Sequence, residues 1–137
     1  MPMAVDISPL QNAMLRLEEV LVRFRQDPAD TIVRDALIQR FEFTYDLTPK
    51  MLRRVLASRS DTPEDIDRLS FPGLMRTAFE QGLVDKDWTE WLDYRDKRNI
   101  TSHTYDEGKA REVVDAIPAF FDRARVLVEG LLRYGAE

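Results

Sequence analysis

Residues 107–133 read EGKAREVVDAIPAFFDRARVLVEGLLR. Within them Ala110, Val113, Val114, Ile117, Phe120, Phe121, Ala124, Val128 and Leu131 recur at spacings close to the helical period. That periodicity gathers the apolar side chains on one face and leaves the charges on the other. The spacing predicts a helix from near Asp106 or Glu107 to a stop at Gly135. Pro118 should kink it, because proline lacks an N–H and its ring crowds the preceding turn.

Working back from this helix, the same period recurs. Trp88, Trp91, Leu92 and Arg95 anchor a helix from about Asp87 to Ser102. Ser70-Phe71-Pro72 opens a short helix through Leu74, Ala78 and Phe79, and Gly82 closes it as the residue just past its end. Ser58 to Leu69 is polar, contains Pro63, and reads as a connecting loop. A longer helix starts near Ala29 or Thr31, with Asp30 as its cap and Ile32, Ala36, Phe43 and Leu47 on its stripe, and extends to about Ala57. Pro49 predicts a kink near Asp46. The first helix is predicted over Pro9–Arg25, with Ser8 as N-cap and Leu10, Met14, Leu17, Leu21 and Phe24 on its stripe.

No alternating run or Asn-Gly or Asp-Gly hairpin turn signals a strand. There are no internal repeats or low-complexity tracts. The fold expected is therefore an all-α, up-and-down bundle of four to five helices, one domain over residues 1–137. The large residues on the stripes read as core. Surplus apolar helix surface would suit a symmetric homodimer.

The chain has 137 residues, 44% hydrophobic and 33% charged, which suits a globular core rather than disorder. It has no cysteine, so disulfides and thiol catalysis are excluded. Its start lacks a signal peptide, and no apolar run approaches a membrane span; a cytoplasmic location is expected. The net charge of −5 argues against binding nucleic acid through bulk charge. A local basic patch would have to do it.

The one histidine, His103, lies in the polar string Arg98-Asn99-Ile100-Thr101-Ser102-His103-Thr104-Tyr105-Asp106. Asn99 precedes His103 by four residues, so on a continuing helix it shares a face and can set the imidazole tautomer. Arg98 offers a guanidinium fork for phosphate, and histidine titrates near neutrality. Together they are the minimal parts for RNA cleavage without a metal: the imidazole moves the proton, and the guanidinium stabilises charge on the transition state. From Arg95 to Arg111 five basic residues face three acidic ones, a local +2. A two-fold dimer through this face would set two histidines in one cleft, one as base and the other as acid. The plainer alternative for a lone histidine at a helix end is a cap or a solvated side chain. No cofactor and no metal site is expected, since one histidine and scattered carboxylates make no ligand cluster.

The pattern Arg-x4-His-x-Tyr at Arg98, His103 and Tyr105 resembles the signature of HEPN domains. The full string 98–106 is similar to the branch called nucleotidyltransferase substrate-binding proteins. So are Ile38-Gln39-Arg40-Phe41-Glu42-Phe43-Thr44-Tyr45-Asp46-Leu47 and Trp91-Leu92-Asp93-Tyr94-Arg95-Asp96. The likeness spans about Leu10 to Leu132. Pro49 departs from it, standing where the family commonly has tryptophan. The resemblance implies a helical bundle that dimerises with its Arg-x4-His motifs facing each other, and a metal-independent endoribonuclease of a toxin–antitoxin pair. It also implies a small partner, a minimal nucleotidyltransferase (MNT), that silences the nuclease by transferring AMP to Tyr105. Arg98, Asn99 and His103 would then be catalytic, with RNA as substrate. Arg40, Glu42, Asp46 and Ser102 would support the cleft, although a salt-linked helix face is the plainer reading of Arg40, Glu42 and Asp46. The other function attached to this branch is a non-catalytic subunit that presents substrate to the nucleotidyltransferase.

Overall fold

The computed structural model describes residues 4–85 and 88–137, and every regular element among them is helical. The order is α1 (Ser8–Gln26), α2 (Thr31–Ser58), α3 (Pro63–Asp67), α4 (Phe71–Glu80), α5 (Glu90–Asn99), a single 3₁₀ turn (Thr101–His103) and α6 (Glu107–Arg133). Helices α1, α2 and α6 pack on one another. Helix α5 lies against α2 and α6, and α4 joins α2 to α5. The predicted stripes of three helices supply the interior: Leu10, Leu17, Trp91, Ile117 and Leu131 are fully buried, as is Phe120. On α2 the stripe expected at Ile32, Ala36, Phe43 and Leu47 is not the buried face: Ile32 and Phe43 are exposed, and Leu37, Phe41 and Leu52 fill the interior instead.

Several predicted ends are present. Asp30 caps α2, its carboxylate accepting from the backbone N–H groups of Ile32 at 2.9 Å and Val33 at 3.2 Å. Asp106 caps α6 through Lys109 N–H. Gly82 (φ 77°) and Gly135 (φ 111°) take the left-handed conformation past α4 and α6. In both, the next residue donates back into the helix, Leu83 to the Ala78 carbonyl and Ala136 to the Leu131 carbonyl.

Three further expectations change, and both prolines expected to kink a helix lie inside continuous ones. Ser8 is not a side-chain cap: it lies inside α1, and the Asp6 carboxylate accepts from its N–H at 2.9 Å. The stretch read as a loop contains α3, whose first turn begins with Pro63 and carries Glu64 and Asp65, favourable beside exposed N–H groups. Arg53 holds the connection after it, one guanidinium nitrogen donating to the carbonyls of Ile66 and Leu69. Helix α2 runs through Pro49 without a break. Proline cannot donate to the Tyr45 carbonyl, and the Thr48 hydroxyl does so instead, at 2.7 Å. Helix α6 is likewise continuous through Pro118.

The last difference concerns the motif. Helix α5 ends at Asn99, not Ser102; the start expected at Asp87 lies outside the described residues. The Thr101 hydroxyl donates to the Arg98 carbonyl at 2.8 Å, and that of Thr104 to the Thr101 carbonyl at 3.0 Å. Threonine hydroxyls that reach back in this way offer the chain an alternative to the next helical turn. The backbone tightens into the 3₁₀ turn, then enters α6.

Gly130, in the last turn of α6, meets the loop after α4. A Cβ there would lie 2.7 Å from the carbonyl oxygen of Leu83 and 3.1 Å from its Cα. Backbone cannot yield cheaply, so Gly130→Ala should destabilise the protein by about 1–3 kcal/mol. Urea unfolding followed by circular dichroism measures this; an unchanged midpoint would mean that the loop gives way freely.

Candidate functional site

Arg98 sits in the last turn of α5, facing α2. Its Nε donates to Asp46 Oδ1 at 2.8 Å and its Nη2 to Asp46 Oδ2 at 3.1 Å, a two-point fork. Nη1 donates to the Thr101 hydroxyl at 2.9 Å, and Glu42 approaches Nη1 at 4.0 Å. The hydrogen bond to Asp46, followed by the attraction of Asp46 and Glu42, raises the pKa of a group already cationic. Three of its five N–H groups are engaged. Two remain for a ligand, and the guanidinium is held in place to present them. Next to Asp46, the buried Tyr45 hydroxyl has its pKa pushed up by desolvation, so it stays protonated.

His103 is exposed on the 3₁₀ turn, and no protein group hydrogen-bonds its ring among the described residues. Its ring stands edge-on to that of Tyr105, centroids 6.2 Å apart and planes at 72°. Tyr105 itself is 84% exposed. An open cleft of about 440 Å³ adjoins the turn, lined by Asp35, Ala36, Ile38, Gln39, Glu42, Thr101 and Thr104. The arrangement joins an immobilised cation for an anionic group, an accessible proton-transfer group, and a solvent-facing phenol. Among the described residues no cluster of histidine and carboxylate side chains is arranged to hold a metal ion.

Over residues 5–133 the chain matches the family described as nucleotidyltransferase substrate binding protein like. It belongs to that family. It is 37% identical over 135 residues to the probable ribonuclease HepT of Haemophilus influenzae, covering 93% of this chain and 92% of that protein. A solved H. influenzae structure, described as the fold of a substrate binding domain of a nucleotidyltransferase, superposes with a TM-score of 0.84. The two share 35% identity over 93% of this chain and 99% of that one. A solved structure from Thermus thermophilus gives 0.72 at 33% identity, covering 91% of this chain and 98% of that one. These similarities are consistent with the HEPN resemblance and with the all-helical bundle.

Within this family member the predicted residues do not all converge. Arg98, Asp46 and Glu42 meet. Ser102, His103 and Tyr105 share the turn and its exit, with Ser102 exposed. Asn99 is exposed and makes no hydrogen bond with His103 among the described residues; with the helix ending at Asn99, the four-residue spacing no longer places them on one face. Arg40 does not line the cleft. Its Nη1 donates to the Arg16 carbonyl at 2.7 Å and lies 3.7 Å from Glu19, so it ties α2 to α1. Thr101 was missed. It is buried, accepts from Arg98, donates to the Arg98 carbonyl and sets the turn. Its three-residue spacing from Arg98 was the available signal.

Asp46 is half exposed, so loss of its charge should cost under about 1 kcal/mol of stability. Asp46→Asn should instead loosen the guanidinium. Nitrogen-detected NMR of the Arg98 Nε–H should show faster solvent exchange in the variant. An unchanged exchange rate would mean that the carboxylate does not hold Arg98.

Proposed function

We propose that this chain is the metal-independent endoribonuclease of a cytoplasmic toxin–antitoxin pair, acting as a homodimer with a minimal nucleotidyltransferase as antitoxin. The observation that carries this reading is an exposed histidine, its ring without a hydrogen bond among the described residues, five residues beyond an arginine that keeps two N–H groups for an anion. Arg98 binds the scissile phosphate. His103 of one copy takes the proton from a ribose 2′-OH, and the freed oxygen attacks the adjacent phosphorus. The 5′ oxygen leaves and receives a proton from the second copy's histidine, giving a 2′,3′-cyclic phosphate and a 5′-hydroxyl. Relatedness to a probable ribonuclease supports the reaction class, and membership in a nucleotidyltransferase-linked family supports the partner.

Silencing would act at Tyr105. Its phenol is exposed and its ring lies against His103, so each AMP joined there sets a negative phosphodiester and a bulky base beside the proton-transfer group. One observation favours the second reading, a substrate-presenting subunit without nuclease activity. Asp46 already occupies one edge of the Arg98 fork, which suits binding and orientation as well as catalysis.

Cleavage of a mixed RNA pool in EDTA separates the two. Wild type should cleave, and His103→Ala should lose roughly 10²–10⁴-fold of that activity with its helical signal intact. No cleavage by a folded dimer free of AMP would establish the presenting subunit instead. Tyr105→Phe should keep nuclease activity yet escape silencing when expressed with the nucleotidyltransferase. Mass spectrometry finding no AMP on wild-type Tyr105 after co-expression would remove the proposed switch.

A further inference from the structure

Beyond Arg98, the outer face of α2 carries groups that neither the fold nor the motif uses. Phe43 is 55% exposed. At 100° per residue, Lys50 and Arg54 lie within about 20° of Phe43 around the helix axis, so the three form one line. Lys50 and Arg54 are exposed, and neither has a carboxylate partner among the described residues. They border an open cavity of about 510 Å³, lined by Asp46, Pro49, Lys50, Arg53, Arg54 and Asp67. Arg53 spends its hydrogen bonds on neutral backbone carbonyls and keeps its full charge. Of the two carboxylates in the lining, Asp46 is bound to Arg98, which leaves Asp67 against three cations. The cavity therefore reaches the motif through the very carboxylate that holds Arg98.

We infer that this face is a track for single-stranded RNA, in which Phe43 stacks a base and Lys50 and Arg54 take flanking phosphates leading to Arg98. Aromatic platforms interleaved with cations are how proteins grip single strands without reading sequence. Four residues of helix rise about 6 Å, so Lys50 and Arg54 are spaced on the scale of neighbouring phosphates in an extended strand. The track also answers the problem set by a net charge of −5: three cations against one unengaged carboxylate make a local basic surface beside the motif. The competing occupant is a second copy of the chain, because Ile32, 80% exposed, lies on the same face. An apolar contact between copies would have to cover unpaired Lys50 and Arg54, whereas a phosphodiester backbone uses them.

The inference rests on RNA being the substrate, and binding is measured apart from cleavage. Fluorescein-labelled single-stranded RNA of mixed sequence is titrated with the full-length His103→Ala protein at several salt concentrations. Phe43→Ala in that background should weaken binding roughly 10-fold. Lys50→Ala with Arg54→Ala should flatten the dependence of log K on log salt by about 1.4, the contribution of two phosphate contacts. All three residues are exposed, so circular dichroism should be unchanged. If these variants bind as tightly as their parent with the same salt slope, or if the parent does not bind RNA, the track is wrong. If Phe43→Ala dissociates a dimer and leaves RNA affinity unchanged, the face is a protein interface instead. Wild-type cleavage in EDTA with unaltered binding by the variants would overturn the track and leave the nuclease standing. Salt-sensitive binding that these variants lose, with no cleavage by wild type, would do the reverse.

Discussion

The ring of Phe120, fully buried on α6, meets Phe41 and Tyr45 from α2 and Trp91 and Tyr94 from α5. Phe41 stands edge-on to it at 4.9 Å, and Tyr94 edge-on at 5.5 Å. Such pairs are each worth about 0.5–1.5 kcal/mol beyond the area they bury, and their geometry is directional. The cluster therefore sets the positions of α2 and α5 relative to each other. Asp46 follows Tyr45, and Arg98 lies one helical turn beyond Tyr94. A core contact deep in the bundle thus decides whether the carboxylate and guanidinium at its surface can meet. The Arg98–Asp46 pair, exposed enough to be weak by itself, gains its geometry from the rings beneath it.

Threonine hydroxyls complete what the rings begin. Thr48 supplies the donor that Pro49 lacks, so α2 stays one helix and keeps Phe41, Tyr45, Asp46 and Lys50 in a fixed order along it. Thr101 does the opposite for α5. By returning its hydroxyl to the Arg98 carbonyl, it ends the helix and turns His103 outward. The same chemical group preserves one helix and terminates another. What decides is whether the carbonyl it reaches has lost its backbone donor or was about to receive one.

The bundle was legible because its stripes are broad and its punctuation is conventional. Asp30, Ser70, Gly82 and Gly135 each act at the helix end where their chemistry placed them. The errors at helix boundaries share a cause. Ser8, the segment containing α3, and the end of α5 are settled by side-chain to backbone hydrogen bonds that depend on which carbonyl or N–H is free. Periodicity carries no information about that. In the candidate site, spacing alone singled out Arg98, His103 and Tyr105. The pairing of Arg98 with Asp46 was not readable, since 52 residues separate them and only packing of α2 on α5 joins them. Arg40 belonged to the same family-like stretch as Asp46, yet its position around α2 aims it at α1. Neighbours in sequence on a helix face different partners.

The trio of Arg98, Asp46 and Glu42 also constrains the order in which this surface can change over descent. Glu42 and Asp46 are one turn apart on α2, and the guanidinium lies at 4.0 Å from one and 2.8 Å from the other. A lineage that lost the arginine first would leave two like charges facing each other on adjacent turns, a destabilising arrangement. A lineage that lost either acid first would keep a cation with one carboxylate still beside it. Drift is therefore easier through the acids than through the arginine. Arg98 is thus anchored in this surface by the repulsion it suppresses.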